Sequence, residues 1–393
     1  MLSQESDLEF TLLIPCLNEA ETIAVCVRKA SSALCRLGIE GEVLVADNGS
    51  TDGSQELAIS VGARVVAVHE HGYGAALIAG IKAARGCYVI MGDADDSYDW
   101  SAIDPFIETL RAGNQIVAGC RLPLGGGKVK DGAMPWLHRW VGNPLFSYLG
   151  RLFFRSQVTD IYCGMRGFSR AAVEQLQLTS HGMEFACEMI VKAALTGLSI
   201  AEVPITLHPD GRTKKPHLRT FRDGWRTLRF MLLYSPRWLF LWPGLTMLLI
   251  GAIGFILLLP GPVIVRGISF ELNTMMVFSL LCLIGTQTLI FGLFARIFAA
   301  RLGLLPPDFF LSRIYRRVRL EHGLFVGAIA SVTGFVLLLV AVGNWAQQSF
   351  GALQSPLEPR LVITSLTLIS LGIQIIFSSF FVSMLELPKG ERR

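Results

Sequence analysis

Between Val89 and Trp100 the chain reads VIMGDADDSYDW, so that Asp93, Asp95, Asp96 and Asp99 follow one another closely after a short apolar run. Carboxylates this crowded repel, and a fold that gathers them at a strand end relieves the repulsion with a divalent cation. Oxygen-only ligands suit Mg²⁺ or Mn²⁺, ions that keep some of their waters and bridge to substrate phosphates. Asp93 and Asp95, the D-x-D pair, are the candidate metal ligands and catalytic carboxylates. Asp96 and Asp99 read as supporting or helix-capping residues. An acidic turn that merely caps the next helix has the same local spelling, so the surrounding elements must decide.

Those elements alternate. Phe10 to Ile14 is a β-rich run ending at Pro15, and Ile23, Val27, Ala30 and Leu34 then recur at helical spacing until Gly38 stops the helix. Residues 42–46 form a second apolar run that enters the turn Asp47-Asn48-Gly49-Ser50-Thr51-Asp52-Gly53. A third strand over 64–68, a helix opening at His71-Gly72-Tyr73-Gly74 and the strand 88–91 complete the pattern. This order predicts an α/β domain with a mainly parallel sheet, in which ligands bind at the carboxyl ends of the strands. Glu19, Asp47, Asp93 and Asp95 all fall at such ends. The Gly72-x-Gly74 turn lacks a third glycine and follows the third strand, which excludes a dinucleotide fingerprint. A close approach to a ligand phosphate and a tight helix start both remain open there. Further on, 114–119 reads as a strand, 125–132 as a flexible basic loop and 182–197 as a helix. In that helix Glu184, Glu188 and Lys192 repeat every fourth residue, a spacing that ordinarily marks helix-stabilising pairs.

The second half has a different character. Across 393 residues the apolar content is concentrated after Trp238, in four uncharged stretches at about 238–259, 275–295, 323–342 and 361–385. Each is long enough to span a bilayer core. The expected layout is a soluble domain over 1–216, a juxtamembrane amphipathic helix over 217–235 and an all-α membrane domain over 236–393. Within the soluble part, 134–154 is rich in Trp, Phe and Leu but interrupted by Pro135, Asn143 and Pro144, which predicts an amphipathic hairpin lying at the membrane interface. Residues 218–234 interleave Arg219, Arg222, Arg226 and Arg229 with Phe221, Trp225 and Phe230, a stripe suited to anionic lipid headgroups. Its attachment to a hydrophobic span argues against nucleic acid as the partner. Arg301, Arg313, Arg316, Arg317 and Arg319 crowd the second loop between spans, and Lys389, Arg392 and Arg393 the tail. By the positive-inside rule that loop and both termini are cytosolic, in keeping with the polar start MLSQESDLEF. No ionisable residue sits mid-span, so nothing points to an ion path; Gln287 and Gln374 are candidates for interhelical hydrogen bonds. The eight cysteines show no metal or disulfide spacing and read as packed thiols.

Taken together, IPCLNE (14–19), VADNGSTDGS (45–54), HGYGAALIAG (71–80), GDADDSYD (92–99) and CGMRGFSR (163–170) resemble the GT-A domain of family 2 glycosyltransferases. Within that family the likeness is to polyprenyl-phosphate sugar synthases of the dolichyl-phosphate mannose synthase and bacterial glucosyltransferase kind. It covers roughly residues 10 to 235. The resemblance implies a nucleotide-sugar pocket lined by Pro15, Leu17 and Glu19, with Asp47 reading the base or ribose edge. It implies Asp93 and Asp95 as holders of the metal on the sugar diphosphate. Arg121, Arg166 and Arg212 would orient donor and acceptor phosphates, with Ser169 in the acceptor-side loop and Glu184 facing the sugar. Where mannose synthases often carry Gln, this chain has Ser97, which leaves the third metal ligand and the donor open. The implied reaction is inverting transfer of one hexose, from UDP-glucose or GDP-mannose, to a polyprenyl phosphate at the cytosolic membrane face, and family analogy suggests a homo-oligomer. Two rivals are a processive polysaccharide synthase and a non-enzymatic, flippase-associated lipid-binding protein. The first lacks support, because Ser235-Pro236-Arg237-Trp238 stands where such enzymes carry Q-x-x-R-W.

Overall fold

The computed structural model describes residues 8–213, 220–301, 320–351 and 357–386. The arginines at 313, 316, 317 and 319, the basic tail residues Lys389, Arg392 and Arg393, Arg219 and the expected boundary at 216/217 lie outside the described residues. The chain divides into two compact units, Met1–Met231 and Leu232–Arg393.

In the first unit, strand β1 (Phe10–Cys16) is buried along its whole length and pairs in parallel with β2 (Gly41–Asp47) and β4 (Tyr88–Met91). Strand β3 (Arg64–Ala67) extends the sheet in parallel beyond β2. Continuous apolar runs are what a parallel strand covered on both faces requires. Helix α1 (Ile23–Leu37) lays Ile23, Cys26, Val27, Ala30, Ala33 and Leu34 on the core, and Gly38, at φ 61°, ends it by donating its N–H to Leu34 and Cys35. Helices α2 (Ser54–Ser60), α3 (Tyr73–Ala83) and α4 (Asp104–Arg111) make the following crossovers. The sheet order is β3-β2-β1-β4-β7-β5-β8, with β5 at Ile116–Cys120, β7 at Arg166–Ser169 and β8 at Ile200–Pro204, while β6 (Lys128–Val129) lies in a separate two-stranded sheet. The mainly parallel sheet is as expected, with one addition. Strand β7 lies antiparallel between β4 and β5, where the sequence reading had a loop.

The interface hairpin expected over 134–154 is instead one helical run. A π-helical turn, His138–Gly142, continues into α5 (Asn143–Phe154). Pro144 lies where the π-helical turn passes into α5, and the helical run continues through it rather than breaking. Trp136, Trp140, Leu145 and Tyr148 are exposed along this run. His138 Nε2 meets Thr220 Oγ1 at 2.9 Å, tying the run to α8 (Thr220–Tyr234), whose Phe221 and Trp225 are likewise exposed. Helix α6 (Arg170–Gln175) and α7 (Phe185–Thr196) close the unit.

Among its described residues the second unit holds four helices long and apolar enough to cross a membrane, Arg237–Leu258, Leu272–Arg301, Leu320–Gln347 and Leu357–Leu385. The first two approach closely at Gly244, Gly251 and Gly285, the last two at Gly327, Gly334 and Gly372, as small residues allow. Ser279 and Thr367, 2.6 Å apart, link the second and fourth, whereas Gln374 Oε1 is buried without a partner. The fourth helix begins before the stretch read from sequence. Glu358 and Arg360 are therefore buried in its first turn, with Arg360 Nε donating to the Leu258 carbonyl at 3.1 Å.

Candidate active site

The sheet gathers the sequence candidates at one edge. The ends of β1, β2 and β4 run in parallel and deliver Glu19, Asp47 and the turn Asp93–Asp96 side by side. Asp47 is 1% exposed, and its Oδ2 accepts from Gly49 N (3.0 Å), Ser50 N (3.0 Å) and Gln55 Nε2 (2.6 Å), while Oδ1 has no hydrogen-bond partner. Pro15 is buried within β1, Leu17 is half-buried, and the Glu19 backbone N–H donates to Ser54 Oγ at 2.9 Å. Trp100, fully buried under the acidic turn, donates Nε1 to the Asp93 carbonyl at 3.3 Å and leaves no room for a side chain at Gly92.

Two carboxylates in this turn differ in how they are held. Asp93 Oδ1 accepts from Tyr73 Oη at 2.9 Å, and burial, reinforced by the charge of Asp95, pushes its carboxyl up to about 7. Asp95 Oδ1 accepts from Ser97 N at 3.0 Å, and Oδ2 receives Arg212 Nη2 at 2.8 Å. The same guanidinium donates Nη1 to Glu19 at 2.6 Å and Nε to Asp210 at 3.0 Å. Burial would lower the Arg212 guanidinium, but Asp210, Asp95 and Glu19 outweigh it and hold it above its usual value. Asp96 turns away to Lys29 at 2.7 Å, and Asp99 caps Ser101.

The remaining candidates are placed less uniformly. Arg121 follows β5 and makes a bidentate pair with Asp160, Nε to Oδ2 at 2.8 Å and Nη2 to Oδ1 at 2.9 Å. Burial would raise Asp160, yet Arg121 holds it below the ordinary carboxylate range. Arg166 is 0% exposed, and its guanidinium donates to the carbonyls of Ile161 (2.7 Å), Cys163 (2.8 Å) and Ala186. Burial pushes this guanidinium down. Ser169 pairs with Tyr88 at the opposite end of β4 from the carboxylates, so the sheet separates it from them. Glu184 stands just ahead of α7 with Oε2 buried and unpartnered, beside Gly182.

Of the two readings of the Gly72-x-Gly74 turn, the tight helix start holds, since Gly72 caps α3 at Tyr73. A Cβ at either position would collide with the backbone carbonyls of His181 and Ser180, so the close approach is by the chain's own loop. Gly72 also stands at φ 135°, a conformation glycine adopts freely. The sequence reading passed over Tyr73 and Asn48. Asn48 Oδ1 accepts from Gly72 N at 2.8 Å and its Nδ2 donates to the Glu70 carbonyl, fixing the turn that presents Tyr73. A hydroxyl-bearing aromatic at the start of a helix that opens beside a strand end was the available signal.

Among the described residues there is no group of three or more His, Cys, Asp or Glu side chains arranged to hold a metal. Asp93 and Asp95 nonetheless suit one. They form an oxygen-only set, burial and then the charge of Asp95 raise the Asp93 carboxyl, and Asp95 already holds a cationic group. A two-carboxylate set is completed by water and phosphate oxygens, the habit of Mg²⁺ and Mn²⁺.

The family 2 glycosyl transferase model matches residues 11–177, and the family 2 C-terminal transmembrane region matches residues 293–386. The low-salt glycan biosynthesis hexosyltransferase Agl6 of Haloferax volcanii is 37% identical over 389 residues, covering 98% of this chain and 91% of that one. The chain belongs to glycosyltransferase family 2. A second relative, the dolichyl-phosphate hexose transferase of Haloferax volcanii, is 32% identical over 164 residues, 42% of this chain and 68% of that one. The solved glucosyl-3-phosphoglycerate synthase of Mycobacterium tuberculosis, in complex with Mn²⁺, UDP and glucosyl-3-phosphoglycerate, superposes with a TM-score of 0.46 at 21% identity, over 58% of this chain and 80% of that one. This glycosyltransferase thus joins a GT-A domain to four apolar helices that could span a membrane.

Proposed function

We propose that this glycosyltransferase transfers a single hexose from a nucleotide-sugar to a polyprenyl phosphate at the cytosolic face of a membrane, with inversion and with a divalent metal. The observation that carries the reading is the meeting of Glu19, Asp47, Asp93 and Asp95 at one sheet edge, in a chain that continues into four spans. The hexosyl group and the lipid acceptor are supported by the names of the two Haloferax relatives.

Asp93 and Asp95 would hold Mg²⁺ or Mn²⁺, which when bound neutralises the leaving diphosphate. Asp47 offers a buried carboxylate oxygen to a base or ribose N–H or O–H, with its other oxygen already committed. Arg212 supplies the fork that suits phosphate oxygens bidentately, and exchanging Asp95 and Glu19 for a phosphate conserves its charge balance. Arg121 and Arg166 serve by fixing the Asp160–Ala186 framework against which Asp93 rests. The acceptor phosphate is anionic at neutral pH, so alignment and charge stabilisation carry the rate and no strong general base is required. The exposed aromatics of the 138–154 run and of α8 fit a bilayer interface, where the acceptor lipid resides. The cytosolic placing of both termini rests on the positive-inside rule and the basic second loop. The oligomeric state rests on family analogy alone.

Purified full-length protein incubated with a panel of labelled nucleotide-sugars and undecaprenyl phosphate should yield one extractable lipid-linked hexose, with transfer abolished by EDTA. The absence of a lipid-linked sugar across the panel would overturn the reading, and a polymeric product would favour the processive synthase instead.

A further inference from the structure

We propose that Tyr73 is a positioning residue for the metal-holding carboxylate of Asp93, kept in register by the buried Glu188 through the loop ahead of α7. The inference rests on the metal reading given above. Its geometry begins at the carboxylate. Tyr73 Oη donates to Asp93 Oδ1 at 2.9 Å. Oδ2 on the other side lies against Gly164, where an added Cβ would come to 2.9 Å from it and 3.1 Å from Tyr98 Oη. Gly164 is itself fixed, since its N–H donates to Tyr98 Oη at 2.9 Å. The terminal torsion of an aspartate is soft, so without such fixtures the carboxylate plane would rotate. The two aspartates therefore differ. Asp95 is held by a cation that an incoming metal must displace, whereas Asp93 is held by a neutral phenol that leaves Oδ2 free to coordinate.

The phenol needs a rigid support. Tyr73 is the first residue of α3, and the next two N–H groups, of Gly74 and Ala75, donate to the His181 carbonyl at 2.9 and 3.3 Å. The loop carrying His181 is gripped from below by Glu188, which is 0% exposed. Its carboxylate accepts from Thr179 N (3.1 Å), Thr179 Oγ1 (3.1 Å) and Ser180 N (2.8 Å), and pairs with Lys192 Nζ at 2.7 Å. Lys192 also donates to the Gln177 carbonyl at 2.8 Å. A buried ion pair is a poor way to gain stability. Here it satisfies four groups of one loop, and that loop sets the start of α3. Groups that orient a metal's ligands change its affinity about 10- to 100-fold when removed.

The test is Mn²⁺ affinity of the full-length protein in detergent, read as free Mn²⁺ by electron paramagnetic resonance with the metal alone. Tyr73→Phe should weaken Mn²⁺ about 10-fold or more. The thermal midpoint should be unchanged, and turnover should be largely restored at saturating Mn²⁺. Gly164→Ala, which presses on Oδ2 from the opposite side without touching Tyr73, should weaken Mn²⁺ as well, and serves if Tyr73→Phe does not fold. Glu188→Gln should lower both the affinity and the thermal midpoint. If Asp93→Asn abolishes Mn²⁺ binding but Tyr73→Phe and Gly164→Ala bind like the parent protein, the positioning role is overturned and the metal reading stands. If Asp93→Asn itself binds Mn²⁺ normally, the metal reading fails and takes this inference with it.

Discussion

Two arginine–carboxylate sites stand near the same edge of the sheet, and they are built on opposite principles. Arg121 and Asp160 form a closed pair. The backbone N–H of Arg121 adds a third bond to Asp160 at 3.0 Å, and the Asp160 side chain is wholly buried. Arg212 divides its guanidinium among Glu19, Asp95 and Asp210, drawn from three separate segments, and its side chain remains 13% exposed. Identical chemistry thus serves a fixed joint in one place and a borrowed contact in the other. The two arginines are almost equally exposed, at 10% and 13%; what distinguishes the sites is the carboxylate side, wholly buried at Asp160 but 9% exposed at Glu19 and 12% at Asp95, and the number of segments bridged.

The largest effect should come from breaking the closed pair. Arg121→Ala leaves Asp160 ionised and buried without its partner, which typically costs about 3–5 kcal/mol. Urea or thermal unfolding of the purified protein should show that loss, and the double change Arg121→Met with Asp160→Leu should recover most of it. A variant Arg121→Ala with undiminished stability and no activity would place Arg121 at the substrate instead. Opening the other site should do the reverse. Asp95→Asn should leave the unfolding transition in place and reduce turnover by about a hundredfold or more, the scale on which charge-stabilising groups act.

Arg212 gives a sharper version of the contrast. Arg212→Lys preserves the charge but loses the fork that reaches several oxygens at once. Turnover should fall by about tenfold, with Arg212→Ala falling further, while the thermal midpoint moves little in either. A large loss of stability in Arg212→Ala would make this site a second structural joint and remove the distinction.

Sequence spacing carried the carboxylates well and the arginines poorly. Glu19, Asp47, Asp93 and Asp95 were legible because each ends an apolar run, and parallel topology places such ends together. Arg121, Arg166 and Arg212 looked alike in sequence, since what separates them is a partner far along the chain, Asp160 for Arg121 and Glu19 for Arg212. Strand β7 was missed for the same reason: four residues read as a loop until β4 and β5 supply hydrogen bonds on both sides. Glu188 and Lys192 have the spacing of a solvated surface pair, and only the fold shows Glu188 buried beneath the loop at 177–181. Pro144 read as a breaker because the helical run that continues through it is not visible without the fold.

The smallest effect concerns the two aspartates themselves and follows from protonation. The Asp93 carboxyl is pushed up from its ordinary value of 3.8 to about 7, by burial first and by Asp95 second. A carboxyl raised in this way contributes stability that is fully present below 3.8 and is lost as the pH rises through about 7. The metal-free protein should therefore become less stable between about pH 4 and 7, and Asp93→Asn should flatten that slope. Metal binding requires the ionised form, so its pH dependence has the opposite sign. Below the raised value each pH unit should weaken Mn²⁺ about tenfold, with a plateau above it and a proton released on binding near neutrality. A Mn²⁺ affinity that is flat between pH 6 and 8 would show that burial and the charge of Asp95 do not raise the Asp93 carboxyl.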